Sequence, residues 1–280
     1  MDFFKGRSLV IATKHGKEKV LAPLFESHLG VRCSSTQDFD TDTLGTFSGE
    51  IPRKGSALST AREKCLKAME LAQADLGVAS EGSFGAHPHI PFIPSDEETL
   101  IFIDRKNQLE VFAVKLSTET NFQSEQIHSL DILLSFSERV GFPSHKIILK
   151  GQKGKELKLL KGIQSISDLV YQFTLLTDAG HIITAETDMR AMNNPTRMKV
   201  IEQAALKLIE KIKNACPKCG APGFQLTSAA PGLPCSLCKT PTASILQVVH
   251  TCQVCAHTEI KANPDGKSFE DPMLCPSCNP

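Results

Sequence analysis

GSALSTAREKCLKAMELAQADLGVASEGSFG, residues 55–85, decides the fold class. Its first half reads as a helix from Ser59 to Ala74, with Ala61, Cys65, Ala68, Met69 and Ala72 at helical spacing. Cys65 falls on that apolar stripe and reads as a small core residue rather than a nucleophile. Leu76–Ala79 then reads as a short buried strand, stopping at Ser80-Glu81-Gly82-Ser83-Phe84-Gly85. Two readings of Glu81 stand. A buried strand can carry a carboxylate to a sheet edge where glycines let a ligand approach. Alternatively, Glu81 merely opens a Gly-rich turn.

A helix feeding an apolar strand implies an α/β architecture, and the flanking sequence agrees. Ser8–Ala12 (SLVIA) is a strand, followed by Thr13-Lys14-His15-Gly16-Lys17-Glu18-Lys19 and a helix to about His28. A strand–loop–helix junction of this composition suits an anion, because backbone N–H groups and the helix dipole face it. An ordinary connection with solvated lysines is the alternative, and the Walker pattern is missing. Val31–Ser34 is a second short strand, and Asp38–Arg53 a polar loop or hairpin. His87 and His89 lie in a Pro-rich loop and read as metal ligands or as polar lining. Thr99–Ile103 and Leu109–Leu116 form a hairpin, Ser124–Val140 a helix, Lys146–Leu149 a strand and Ile166–Leu176 a helix.

His181–Thr187 is a strand, and Asp188-Met189-Arg190 leads to Asn194-Pro195-Thr196-Arg197. Asn194 suits an N-cap and Pro195 the first helical position, so a helix runs from there to about Lys213. Arg197 then sits in a first turn, where a bare cation is disfavoured. Either a bound anion or Asp188 relieves it.

The 280 residues allow one large domain or two smaller ones, and the formal net charge is zero. Bulk electrostatics therefore point neither to nucleic acid nor to a membrane. Trp is absent and there is one Tyr, so base-stacking platforms are scarce. No apolar run approaches the roughly 18 residues of a membrane span, and no signal peptide is read at the start.

Eight of the ten cysteines fall after residue 215 in four C-x-x-C pairs: Cys216/Cys219, Cys235/Cys238, Cys252/Cys255 and Cys275/Cys278. Paired knuckles of this spacing mean two structural zinc sites of four cysteines each rather than disulfides, and a reducing cytoplasmic compartment. The knuckles pair either sequentially, as two zinc ribbons, or interleaved. Such a module docks protein or nucleic acid. Nucleic acid is not favoured, because the tail has no Arg and its lysines are offset by Glu259, Asp265, Glu270 and Asp271. A protein partner fits the composition better.

Three ordered motifs carry a resemblance: Thr13-Lys14-His15-Gly16-Lys17, Thr60-Ala61-Arg62-Glu63-Lys64-Cys65, and Asp75-Leu76-Gly77-Val78-Ala79-Ser80-Glu81-Gly82. Over roughly residues 7–105 the chain resembles the inosine/xanthosine triphosphate pyrophosphatase superfamily, in its non-canonical purine nucleoside triphosphatase branch. The resemblance implies a central mixed sheet flanked by helices over residues 1–214, and Mg²⁺-dependent hydrolysis of a nucleoside triphosphate. It implies phosphate contacts from the first loop (Thr13, His15, Lys17) and from Arg62 and Lys64 of the helix motif, with Glu81 at the metal. Read with it, Asp188 is a second carboxylate, and Arg190, Asn194 and Arg197 complete the substrate contacts. Departures are Lys14 where the family has Asn, Lys54-Gly55-Ser56-Ala57 in place of an acidic stretch, and Gly82-Ser83 in place of Gly-Gly. The Thr187–Arg197 junction and the tail, residues 215–280, additionally look like an uncharacterised bacterial domain family ending in Cys-Asn-Pro. Two functions follow: the pyrophosphohydrolase, or a non-catalytic nucleotide- or partner-binding protein that docks through its zinc module.

Overall fold

Leu9 and Ile11 face one way along β1 (Ser8–Ala12), Val10 and Ala12 the other, and all four are buried. A strand buried on both faces must lie inside a sheet covered on both sides. The computed structural model, which describes residues 3–35 and 55–280, shows this arrangement. β1 runs parallel to β2 (Arg32–Ser35) and to β3 (Leu76–Ala86). β4 (Pro94–Asp104) and β5 (Leu109–Ser117) continue the sheet antiparallel, in the order β2-β1-β3-β4-β5. One face packs on α1 (Glu18–Leu29) and α5 (Pro195–Lys213), through Leu21, Phe25, Ile201, Ala204 and Leu208. The other packs on α2 (Ala57–Leu71), through Ala61, Cys65, Ala68 and Met69. Cys65 is wholly buried there. The segment expected as a loop or hairpin, Asp38–Arg53, lies outside the described residues.

Local signals set the helix starts. The Ser56 hydroxyl accepts from the Ser59 N–H at the head of α2, and Asn194 caps α5 with Pro195 at its first position.

A second, four-stranded antiparallel sheet forms its own core. Its order is β6-β9-β7-β8, from β6 (Ser124–Ile127), β7 (Ile147–Lys153), β8 (Glu156–Leu160) and β9 (Ile182–Thr187). α3 (Leu130–Arg139) and α4 (Ile166–Asp178) cover it through Leu133, Phe136, Leu169 and Phe173. The expected helix over Ser124–Val140 is corrected here. Ser124–Ile127 is drawn into strand by pairing with β9, and the helix starts only after Ser129, whose hydroxyl accepts from the Ile132 N–H. Tertiary pairing overrides the weak local preference of Ser-Glu-Gln. The lysine-rich hairpin β7–β8 extends past the expected strand end at Leu149.

The tail is a meander, β10 (Gln225–Pro231), β11 (Ile245–Thr251) and β12 (Thr258–Ala262). It sits against the first sheet. A side chain at Gly223 (φ +75°) would meet Leu109 and Val111 within 2.9 Å, and Gln253 bonds both the N–H and the carbonyl of Glu110. Among the described residues no helix is long and apolar enough to cross a membrane.

Candidate active site and cysteine metal centres

β1 stops at Ala12, opposite Ala79, while β3 runs on to Ala86 with β4 alone beside it. The expected strand end at Ala79 is therefore corrected. Glu81 is a mid-strand residue paired with Thr99, and Gly82–Gly85 stay on the ladder opposite Glu98–Ser95. Antiparallel pairing with β4 holds these residues extended despite their glycines. Gly82 has a packing reason instead: a Cβ there would meet the Glu98 carboxylate at 2.5 Å and the Arg197 guanidinium at 2.6 Å. The sheet edge beyond the carboxyl end of β1 is the kind of place where open α/β sheets bind ligands.

Charges gather at this sheet edge, on both of its faces. Thr13 Oγ1 accepts from the N–H groups of His15 and Lys17 at 3.3 and 3.4 Å, folding the loop back on itself. Lys17 is buried and donates to Ser80 Oγ at 2.7 Å and to the Ser80 carbonyl at 3.3 Å. Lys64 of α2 forms a buried ion pair with Glu81. On the other face of the sheet Arg197 donates from Nε to Glu98 at 2.6 Å and from Nη1 to the Met189 carbonyl. The guanidinium also lies over the Phe84 ring, 5.1 Å from its centroid. Asp96, wholly buried on that face, has no hydrogen-bond partner for either carboxylate oxygen among the described residues. Burial and the nearby Glu98 push its carboxyl up to about 8, against the pull of Arg197 and Lys17. Burial and repulsion by Arg197 bring the Lys17 ammonium down to about 8, against the pull of Glu98 and Glu81.

The β9–α5 junction adjoins the same loop, since a Cβ at Gly16 would lie 3.6 Å from Met192 Cβ. Asp188 there is buried and accepts from the Arg190 N–H, from Arg190 Nε and Nη2 at 2.9 and 2.6 Å, and from Asn193 Nδ2 at 2.8 Å. Its cationic partner is Arg190; the anion that relieves Arg197 is Glu98, which corrects the Asp188 alternative. Asn194 accepts from the Arg197 N–H and donates to Asn121.

Lys17 and Arg197 thus lie on the α1/α5 face of the sheet, with Thr13, His15 and Asn194 beside them, while Glu81 turns to the α2 face with Lys64, within electrostatic reach of Lys17. Arg62 does not join them: its guanidinium grips Glu110 in an exposed pair at 2.7–3.1 Å, beside Arg105 and Gln253. Positions two apart on a helix face different ways, so Lys64 reaches the sheet and Arg62 leaves it. His87 and His89, with rings 5.9 Å apart, gather no third candidate ligand among the described residues. Asp96 and Glu98 escape a motif-based reading, and Lys64, part of the helix motif, is found paired with Glu81. Their periodicity marks them: Lys64 lies on the Ala61/Cys65/Ala68 stripe, and Asp96 and Glu98 alternate in phase with buried Leu100 and Phe102.

The eight tail cysteines form two clusters, Cys216/Cys219/Cys252/Cys255 and Cys235/Cys238/Cys275/Cys278. The pairing is interleaved, first knuckle with third and second with fourth. The meander dictates it: the segments before β10 and between β11 and β12 meet at one end of the sheet, and the other two at the opposite end. Sulfurs stand 3.8 Å apart for Cys216–Cys255 and 3.7 Å for Cys219–Cys252, and 3.8 and 3.6 Å for Cys235–Cys278 and Cys238–Cys275. Four thiolates about 2.3 Å from one zinc ion stand about 3.8 Å apart, so both clusters fit that ion. A disulfide, at about 2.05 Å, does not fit these separations. An ion held by four thiolates would have no open coordination position, as at a structural site.

Residues 64–280 match the family model described as a domain of unknown function, DUF6671. No curated protein matches the chain. Among solved structures, the crystal structure of protein VC0702 from Vibrio cholerae is similar at 11% identity and a TM-score of 0.33, over 75% of this chain and 96% of that one.

Proposed function

We propose, for a chain that belongs to the DUF6671 family of domains of unknown function, that the sheet edge beside β1 is the active site of a metal-dependent nucleoside triphosphate pyrophosphohydrolase with an inosine triphosphatase-like first sheet. The observation that carries this reading is the buried Lys17 ammonium on Ser80, next to the Lys64–Glu81 pair, where β1 ends and β3 runs on. Buried cations gathered at a sheet edge suit a polyanion, and buried carboxylates beside them suit its counter-ion. Lys17 and the Thr13–His15 backbone would hold phosphate oxygens. Glu81 is the carboxylate that would hold Mg²⁺; Asp96 lies on the opposite face of the sheet, with Glu98 and Arg197. Bound Mg²⁺ supplies charge neutralisation at the phosphates. Asp188 keeps Arg190 oriented beside the loop. Arg197, engaged with Glu98, shapes the floor.

One observation favours a second reading. Lys64 already neutralises Glu81, as it would in a non-catalytic nucleotide- or partner-binding protein that docks through its zinc module. A pyrophosphate-release screen over canonical and deaminated nucleoside triphosphates with Mg²⁺ separates the two. Turnover supports the enzyme. Nucleotide binding without turnover supports the second reading. The absence of both binding and turnover removes the enzyme and the nucleotide-binding form of the second reading, leaving partner docking through the zinc module.

A further inference from the structure

From the edge of the tail sheet that no strand among the described residues covers, we infer that the chain pairs with a second copy of itself through β12, Thr258–Ala262. The hydrogen-bond phase of this strand is set by two bonds, Cys252 N–H to the His257 carbonyl and Asn263 N–H to the Leu246 carbonyl, each 2.9 Å or shorter. With the register Val249↔Ile260, residues 257, 259, 261 and 263 turn their backbone groups toward β11. Thr258, Ile260 and Ala262 therefore aim theirs outward, off the sheet edge.

An outward row of N–H and C=O groups is a template for another strand. The other edges are managed, among the described residues. Lys207 and Lys211 donate to the Val114 and Phe112 carbonyls of β5, at 2.9 and 3.0 Å. β10 carries two register shifts and ends in Pro231. β2 and β6 are four residues long. On β8, Glu156–Leu160, antiparallel self-pairing about the central residue would set Lys158 against Lys158.

β12 has the opposite property. Its sequence Thr-Glu-Ile-Lys-Ala is self-complementary about Ile260. An antiparallel copy related by a two-fold axis sets Ile260 on Ile260 and Thr258 on Ala262, pairs that exchange backbone bonds in both directions. Glu259 then lies opposite Lys261, twice by symmetry. Those are the non-hydrogen-bonded positions, where facing side chains come closest. Ile260 is 66% exposed in the single chain, and the pairing covers it. The contact is isologous and closed, so it ends at a dimer with a continuous sheet of two tails rather than a fibre.

The test uses the full-length, zinc-loaded chain in sedimentation equilibrium. The wild type is expected to dimerise. Glu259→Lys and Lys261→Glu each set like charges opposite one another, and each should weaken the dimer by roughly tenfold. The double variant Glu259→Lys/Lys261→Glu should restore it. Ile260→Pro deletes an outward N–H that β11 does not use, and should give monomer with the zinc content unchanged. A wild type that stays monomeric at millimolar concentration overturns the inference. So does a dimer indifferent to either single charge reversal, or a double variant no tighter than the singles. None of these outcomes depends on whether the sheet edge beside β1 hydrolyses anything.

Discussion

Arg197 Nε meets Glu98 Oε1 at 2.6 Å, and neither side chain has any exposed surface. The pair ties the first turn of α5 to the middle of β4, across the face of the sheet that carries Asp96. A buried pair gains little over an apolar replacement, but breaking it leaves one charge stranded. Arg197→Met should therefore cost about 3–5 kcal/mol in urea unfolding. The double variant Arg197→Met/Glu98→Leu should recover much of that loss, and a double variant as unstable as the single would contradict the pairing.

Asp96 gives the fold a pH dependence whose sign follows from its raised carboxyl. Between its ordinary value of 3.8 and about 8, the folded chain holds a proton that the unfolded chain has released. Stability from this group thus falls as pH rises through that window. Lys17 works the other way and only above about 8, where the folded chain loses its proton before the unfolded one does. Asp96→Asn should flatten the loss between pH 4 and 8 and be more stable than wild type at pH 8. The difference between the two unfolding curves across pH is the measurement; parallel curves would rule out Asp96 as the source.

Metal analysis should find two zinc ions per chain. Cys219→Ser should expose Cys252 and Cys255 to alkylation ahead of Cys235 and Cys238, because the first knuckle shares its ion with the third. Mapping the alkylated cysteines by mass spectrometry decides it, and the reverse order would show sequential pairing.

Glu81→Gln keeps the shape of the side chain and removes its charge. On the enzyme reading, Mg²⁺-dependent hydrolysis should drop by about a hundredfold or more, with metal-free nucleotide binding retained through Lys17. Lys64→Met should instead weaken binding. Unchanged turnover in Glu81→Gln would take the carboxylate out of the mechanism.

The sequence carried the helix caps and the knuckles well, because both are local. Asn194-Pro195 marks the start of α5 to the residue, and C-x-x-C spacing marks the metal ligands. The extended course of β3 was not legible, because it depends on β4 pairing across the glycines, a non-local fact. The second sheet was hidden for the same reason: Ser124–Ile127 becomes a strand only beside β9. The Lys64–Glu81 and Arg197–Glu98 pairs join residues 17 and 99 positions apart, and no short motif spans either. Knuckle pairing followed from the three-stranded meander, which short strands of mixed composition concealed.

The interleaved clusters impose an order on synthesis. During translation, the centre built on Cys216 can close once Cys255 has left the ribosome. By then Cys235 and Cys238 are already out, and they wait without their mates until Cys275 and Cys278 follow. For that interval the cysteine pair between β10 and β11 stays open, at the end of the meander opposite the first centre. A nascent chain with Cys255 outside the ribosome and Cys275 still inside it would carry all four cysteines of the first cluster and only half of the second.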